Sequence, residues 1–131
     1  MNGVKITLSN LGPLRYAEFE PGPFTIICGE NNTGKTYATY ALFGFLNFWH
    51  EGGVAFPVPD QEVDTLLKQG TLKLPIASLL KQVNPFLEDI SDQFSKKLRV
   101  VFAADASFFP LAKIRVTIEK DVLKPLTYFE Q

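Results

Sequence analysis

Phe24-Thr25-Ile26-Ile27-Cys28, followed at once by Gly29-Glu30-Asn31-Asn32-Thr33-Gly34-Lys35-Thr36, is the stretch on which the fold turns. Its first five residues are apolar or β-branched and do not alternate with polar ones. Such a run between turns is what a strand buried on both faces requires, so a central strand is expected here. The next eight residues set a glycine, four residues, a second glycine, a lysine and a hydroxyl residue in order. From Lys35 to about His50, Gly44 is the one helix breaker, and aromatic or aliphatic side chains occupy most of the circumference. A buried helix is expected, stopped at Gly52-Gly53.

Strand, glycine loop and helix in this order are the context in which that spacing acts as a P-loop. Phosphate oxygens carry several negative charges and need many donors converging from one side. Backbone N–H groups in a tight loop at a helix N-terminus supply them. Gly29 and Gly34 permit that backbone path and let the main chain approach without a Cβ in the way. Lys35 is expected to bridge the β- and γ-phosphate oxygens, and the Thr36 hydroxyl to ligate magnesium. The expected fold is therefore α/β, a P-loop NTPase with a mixed sheet around a buried helix. ATP with Mg2+ is the expected ligand, held by Gly29, Glu30, Asn31, Asn32, Thr33, Gly34, Lys35 and Thr36.

Outward from the loop, the N-terminal side reads as a hairpin. Val4, Ile6 and Leu8 alternate with Lys5, Thr7 and Ser9, the pattern of a strand with one wet face. Leu11-Gly12-Pro13 turns the chain, Leu14 to Phe19 is a second strand, and Glu20-Pro21-Gly22-Pro23 is another turn. On the other side, Asp60 is placed to cap a short helix with Val63, Leu66 and Leu67 on one stripe, docked on the core and ending near Gly70. Ile76 to Leu98 fits two helices or one kinked helix around Asn84-Pro85. Residues 60–98 thus form a mainly helical insertion in a single domain spanning 1–131. Arg99 to Ala104 suits a short strand or a helix end, and Ile114, Val116 and Ile118 mark a final strand.

Composition narrows the function. With 13 basic and 14 acidic side chains, the net charge of −1 gives no bulk drive toward nucleic acid or anionic membrane. No apolar run approaches the roughly 20 residues needed to span a bilayer. The single cysteine, Cys28, cannot form an internal disulfide, which points to a reducing cytoplasm.

Glu30-Asn31-Asn32-Thr33 inside the loop, behind a hairpin over Val4 to Phe19, resembles the SMC, RecF and OLD-like branch of AAA-family ATPases with ABC-type heads. The resemblance covers Val4 to Trp49. It implies the N-terminal lobe of such a head, in which Asn32 helps to order the phosphates. It also implies a partner, either a C-terminal ATPase lobe or a second head, that brings a Walker B Asp-Glu pair and a Ser-Gly signature. Phage defence and DNA repair are the settings the resemblance implies, with nucleic acid met only through the complete assembly.

The distribution of glycine then matters. All nine glycines lie between Gly3 and Gly70, so a Ser-Gly-Gly signature cannot be built from the glycine-free remainder. The best Walker B candidate is Val100 to Ala104 followed by Asp105, with Ala106 where a catalytic glutamate is expected. A capping or loop aspartate explains Asp105 better than a metal-side role does. No catalytic residue is assigned. Cys28 and Trp49 are expected in the core, and His50 is explained by the helix dipole. Gln61, Gln69, Gln82, Gln93 and Gln131 all qualify as a γ-phosphate-sensing glutamine. Two other functions stay open: a non-catalytic module that docks on a partner chain, and a small P-loop phosphotransferase.

Overall fold

In the computed structural model the described residues are 3–52, 58–73, 76–105, 107 and 109–119. They form a small mixed α/β fold with a three-stranded antiparallel sheet and several helices. Strand β1 (Val4–Leu11) lies in the centre, between β2 (Leu14–Phe19) and β3 (Lys113–Ile118). β1 meets β2 through a hairpin that pairs Leu11 with Leu14 across Gly12-Pro13, and it meets β3 with Val4 opposite Ile118 and Leu8 opposite Ile114.

The alternation in β1 does what its pattern predicts, with Ile6 and Leu8 buried and Lys5, Thr7 and Ser9 on the wetter face. A strict period of two would next bury Asn10. Instead Asn10 takes φ 52, a left-handed conformation that asparagine tolerates, and Leu11 becomes the fully buried residue. The opposite face carries charge: Lys5 Nζ lies 3.3 Å from Glu18, and the Tyr16 hydroxyl donates to Glu18 at 2.8 Å.

Helix α1 (Lys35–Glu51) contributes Ala38, Ala41 and Phe45 to the core. Its outer side leaves Tyr40, Phe43 and Leu46 exposed, so the helix is buried along one stripe and not all round as its composition suggests. Gly52 ends it, donating its N–H to Phe48 at 2.8 Å. Helix α2 (Asp60–Gln69) ends at Gly70, but Asp60 is its first helical residue and no side chain caps it. The expected docking of its stripe does not occur: no α2 residue is buried, and Leu67 is 78% exposed.

Ile76 to Ser95 is one helix, α3, with Pro85 inside it; a short α4 (Leu98–Val101) follows. Ile90 and Phe94 of α3, with Leu98, close the core against Ile6, Leu8, Ile114 and Val116 of the sheet. Burying side chains of this size stabilises by about 1.5–3 kcal/mol each, which makes the joint of sheet, α1 and α3 the main source of cohesion. α3 is therefore an integral layer of this core.

One more expectation is corrected. Phe24 to Cys28 is not a strand: Phe24 is 83% and Ile26 72% exposed, and Cys28 is also exposed. A strand buried on both faces needs neighbours that satisfy its N–H and C=O groups, and no described strand lies beside this segment. Of the two readings of Arg99 to Ala104, the helix end is the one found: it is the end of α4 and a turn, with Val100 exposed, so the apolar run offered for Walker B is not a strand. No helix among the described residues is long and apolar enough to cross a membrane.

Candidate functional site

The loop Gly29–Thr36 runs from the exposed segment into the first turn of α1. Its backbone is shaped by two left-handed residues, Asn32 at φ 62 and Gly34 at φ 100. Gly34 stands at the N-cap, and its carbonyl accepts from the Ala38 N–H at 3.0 Å, which starts the helix. No side chain caps this terminus and no acidic residue stands in its first turn. The leading N–H groups of α1 thus have neither an oxygen nor a carboxylate competing for them, the electrostatic condition for an anion at a helix N-terminus.

Gly34 is also fixed from behind. A Cβ built on it would come within 2.5 Å of the Leu14 side chain in β2, so hairpin and loop meet at a point that admits only glycine. Within the loop, Thr33 donates its hydroxyl to the Glu30 carbonyl at 2.8 Å. The Lys35 ammonium donates to the carbonyls of Gly29 and Glu30, at 2.5 Å for the latter. Lysine thereby draws the start of the loop toward the helix and holds its positive charge beside the open N–H groups.

An open cleft of about 610 Å³ lies over this loop, lined by Asn31 to Tyr37 and by Pro13 of the hairpin turn. Six of the eight candidate residues, Asn31 through Thr36, meet there; Gly29 and Glu30 support them from the side through the Lys35 contacts. Pro13 and Tyr37 were not legible as part of the site. The Gly12-Pro13 turn is plain in the sequence, but its position over the loop depends on how the hairpin packs. Tyr37 stacks on Phe102 with ring centroids 5.2 Å apart and meets the edge of Phe109 at 5.8 Å.

A second cleft, about 380 Å³, lies beside the loop. Leu14, Ala17 and Phe19 of β2 form one wall, and Thr25 to Cys28 the other. Its apolar wall borders the same Gly34 and Lys35 that line the first cleft.

Asp105 is exposed on the turn after α4 and does not line the loop cleft; nor do Gln61, Gln69, Gln82 and Gln93. Gln131 lies outside the described residues, as does Ala106. His50 is exposed in the last turn of α1, and Trp49, 38% exposed, packs its ring against Phe45 and Phe86. Among the described residues no group of three or more His, Cys, Asp or Glu side chains could hold a metal ion. A magnesium ion at this loop would therefore take Thr36, phosphate oxygens and water, a ligand set typical for this cation.

No family model matches this chain, and no match was found among curated proteins or solved structures.

Proposed function

We propose that this chain binds Mg-ATP through Gly29–Thr36 and serves as the nucleotide-holding part of an ATPase head of the ABC type. The supporting observation is the uncapped N-terminus of α1, which opens into a cleft of about 610 Å³ with Lys35 folded beside it. Backbone donors of Asn32 to Thr36 would cradle the phosphates, Lys35 would exchange its carbonyl partners for phosphate oxygens, and Thr36 would ligate the metal. The metal would supply charge neutralisation at the phosphates.

Phosphoryl transfer depends on positioning water and neutralising the γ-phosphate. Among the described residues no carboxylate or glutamine lines the cleft, which supports a holder of nucleotide with slow turnover in the isolated chain. The exposed Phe24 to Cys28 segment supports the same division. It has the composition of a central strand, and a complementary lobe that paired with it would bring strands to the edge of the loop.

The test is binding of labelled ATP by the chain and by Lys35→Ala. Lys35 reaches only exposed backbone carbonyls, so the variant should fold normally and lose at least tenfold in affinity, about 1.4 kcal/mol. Equal binding by both proteins would reject the proposal.

The second function, a docking module without catalysis, is favoured by one observation: Phe24, Ile26 and Leu67 are apolar and strongly exposed at once. It predicts capture of a partner that is indifferent to ATP and to Lys35→Ala.

A further inference from the structure

A third cleft, about 490 Å³, lies where the end of α3, α4 and the start of β3 converge. Lys96 and Arg99, about one turn apart, and Lys113 of β3 line it, with Asp92 as the one acid among the described residues. All four side chains belong to exposed residues. Two other basic residues of the sheet are matched: Lys5 pairs with Glu18, and Arg115 with Glu88 at 3.2 Å. None of the three cations of this cleft has a carboxylate within ion-pair distance among the described residues, Asp92 included.

Helix-end dipoles favour Lys96, just past α3, and Arg99, in the last turn of α4, but not Lys113 of β3. Three cations converging on one concavity repel each other and focus a positive potential there, an arrangement that an anionic ligand would relieve. One guanidinium fork with two ammonium groups suits the tetrahedral oxygens of phosphate. The volume admits a phosphate ester of nucleotide size.

Phe109, in its wall, takes φ 59 and meets the ring of Tyr37, which lines the loop cleft, edge-on at 5.8 Å. Two rings separate the two sites.

We infer that Lys96, Arg99 and Lys113 form a second anion site, distinct from Gly29–Thr36, that takes a phosphate group, either on a free ester or along a nucleic-acid backbone. The inference does not depend on ATP binding at the loop.

The test uses Lys35→Ala, so that the loop does not compete, and compares it with the same chain also carrying Arg99→Gln and Lys113→Gln. Three probes are titrated: inorganic phosphate, a 5′-mononucleotide without magnesium, and a labelled single-stranded 12-mer. Binding is read by fluorescence and by amide chemical shifts. The expected result is perturbation of amides around Lys96, Arg99 and Lys113, with affinity reduced about tenfold or more by the glutamine changes. Binding of the small esters alone assigns a free ligand. Binding of the 12-mer with a log–log salt slope near −2, the value for about three phosphate contacts, assigns the backbone. The inference is overturned if no probe binds, if the glutamine variant binds as tightly, or if the shifts fall only on residues 29–36. Arg99→Ala with Lys113→Ala repeats the comparison should the first pair fold poorly.

Discussion

Ser91 Oγ accepts a hydrogen bond from the backbone N–H of Val116 at 3.0 Å, and both residues are buried. This is one rung of a ladder by which α3 closes the outer edge of β3. Ser95 accepts from the Ile114 N–H at 3.0 Å, and Asn84 both accepts from and donates to the Ile118 backbone at 2.9 Å. Positions 84, 91 and 95 share one helical face, and 114, 116 and 118 present their N–H groups to the same side of the strand. The longer step of seven residues is spanned by the longer side chain. An exposed strand edge invites pairing with other chains, and here side chains occupy it.

Ser91→Ala removes the acceptor and leaves a buried N–H without a partner, at a cost of about 1–3 kcal/mol. The urea midpoint should fall accordingly, with an unchanged slope. A loss under about 0.5 kcal/mol, the range of ordinary surface changes, would mean that water replaces the hydroxyl.

Gly34 and Gly70 both have positive φ, 100 and 72, but differ in surroundings. A Cβ at Gly70 meets nothing within 4 Å, whereas at Gly34 it meets Leu14 at 2.5 Å. Gly70→Ala should cost only the left-handed strain, about 1–2 kcal/mol. Gly34→Ala adds overpacking of typically 1–3 kcal/mol and should displace the loop from β2. Equal chemical-denaturation midpoints for the two variants would contradict this contact.

The charged face of the hairpin gives a pH prediction. The Tyr16 hydroxyl and then the Lys5 ammonium, both hydrogen-bonded to Glu18, lower its carboxyl from the ordinary value. The same carboxylate raises Lys5. A lowered carboxyl contributes stability above its unfolded pKa of about 4.3, lost as pH falls through the folded value. A raised lysine contributes below about 10.4, lost as pH rises through its folded value. The network therefore acts fully between these limits. Glu18→Gln should lose less stability than the parent between pH 6 and pH 3, followed by thermal midpoints. Parallel curves would show that the network is screened out.

Phe24→Ser with Ile26→Thr should leave stability within about 0.5 kcal/mol, because both side chains are exposed. Leu8→Ala, at a fully buried position, should cost about 2–5 kcal/mol. A large loss from the first pair would place residues 24–28 inside the core of the isolated chain.

Much of this was legible before the fold. Lys5, Thr7 and Ser9 alternating with Val4, Ile6 and Leu8 located β1, and Ile114, Val116 and Ile118 located β3, because a sheet with one wet face writes its period into the chain. Gly70 and Gly52 marked helix ends for the same local reason. Phe24 to Cys28 misled, since its composition reports what would stabilise it in company and not whether company is present. The roles of Asn84, Ser91 and Ser95 left no signal, as polar residues at helical spacing look the same whether they face water or a strand edge.

The sequence by itself marked out the loop Gly29–Thr36 as a turn into α1, since the left-handed backbone at Gly34 and the start of the helix are local requirements. Tertiary structure alone decided that Pro13 and Tyr37 stand over that loop, that Leu14 admits only glycine at position 34, and that Lys96, Arg99 and Lys113 share one cleft. These relationships join residues far apart in the chain, and only the packing of sheet and helices around one core sets their distances.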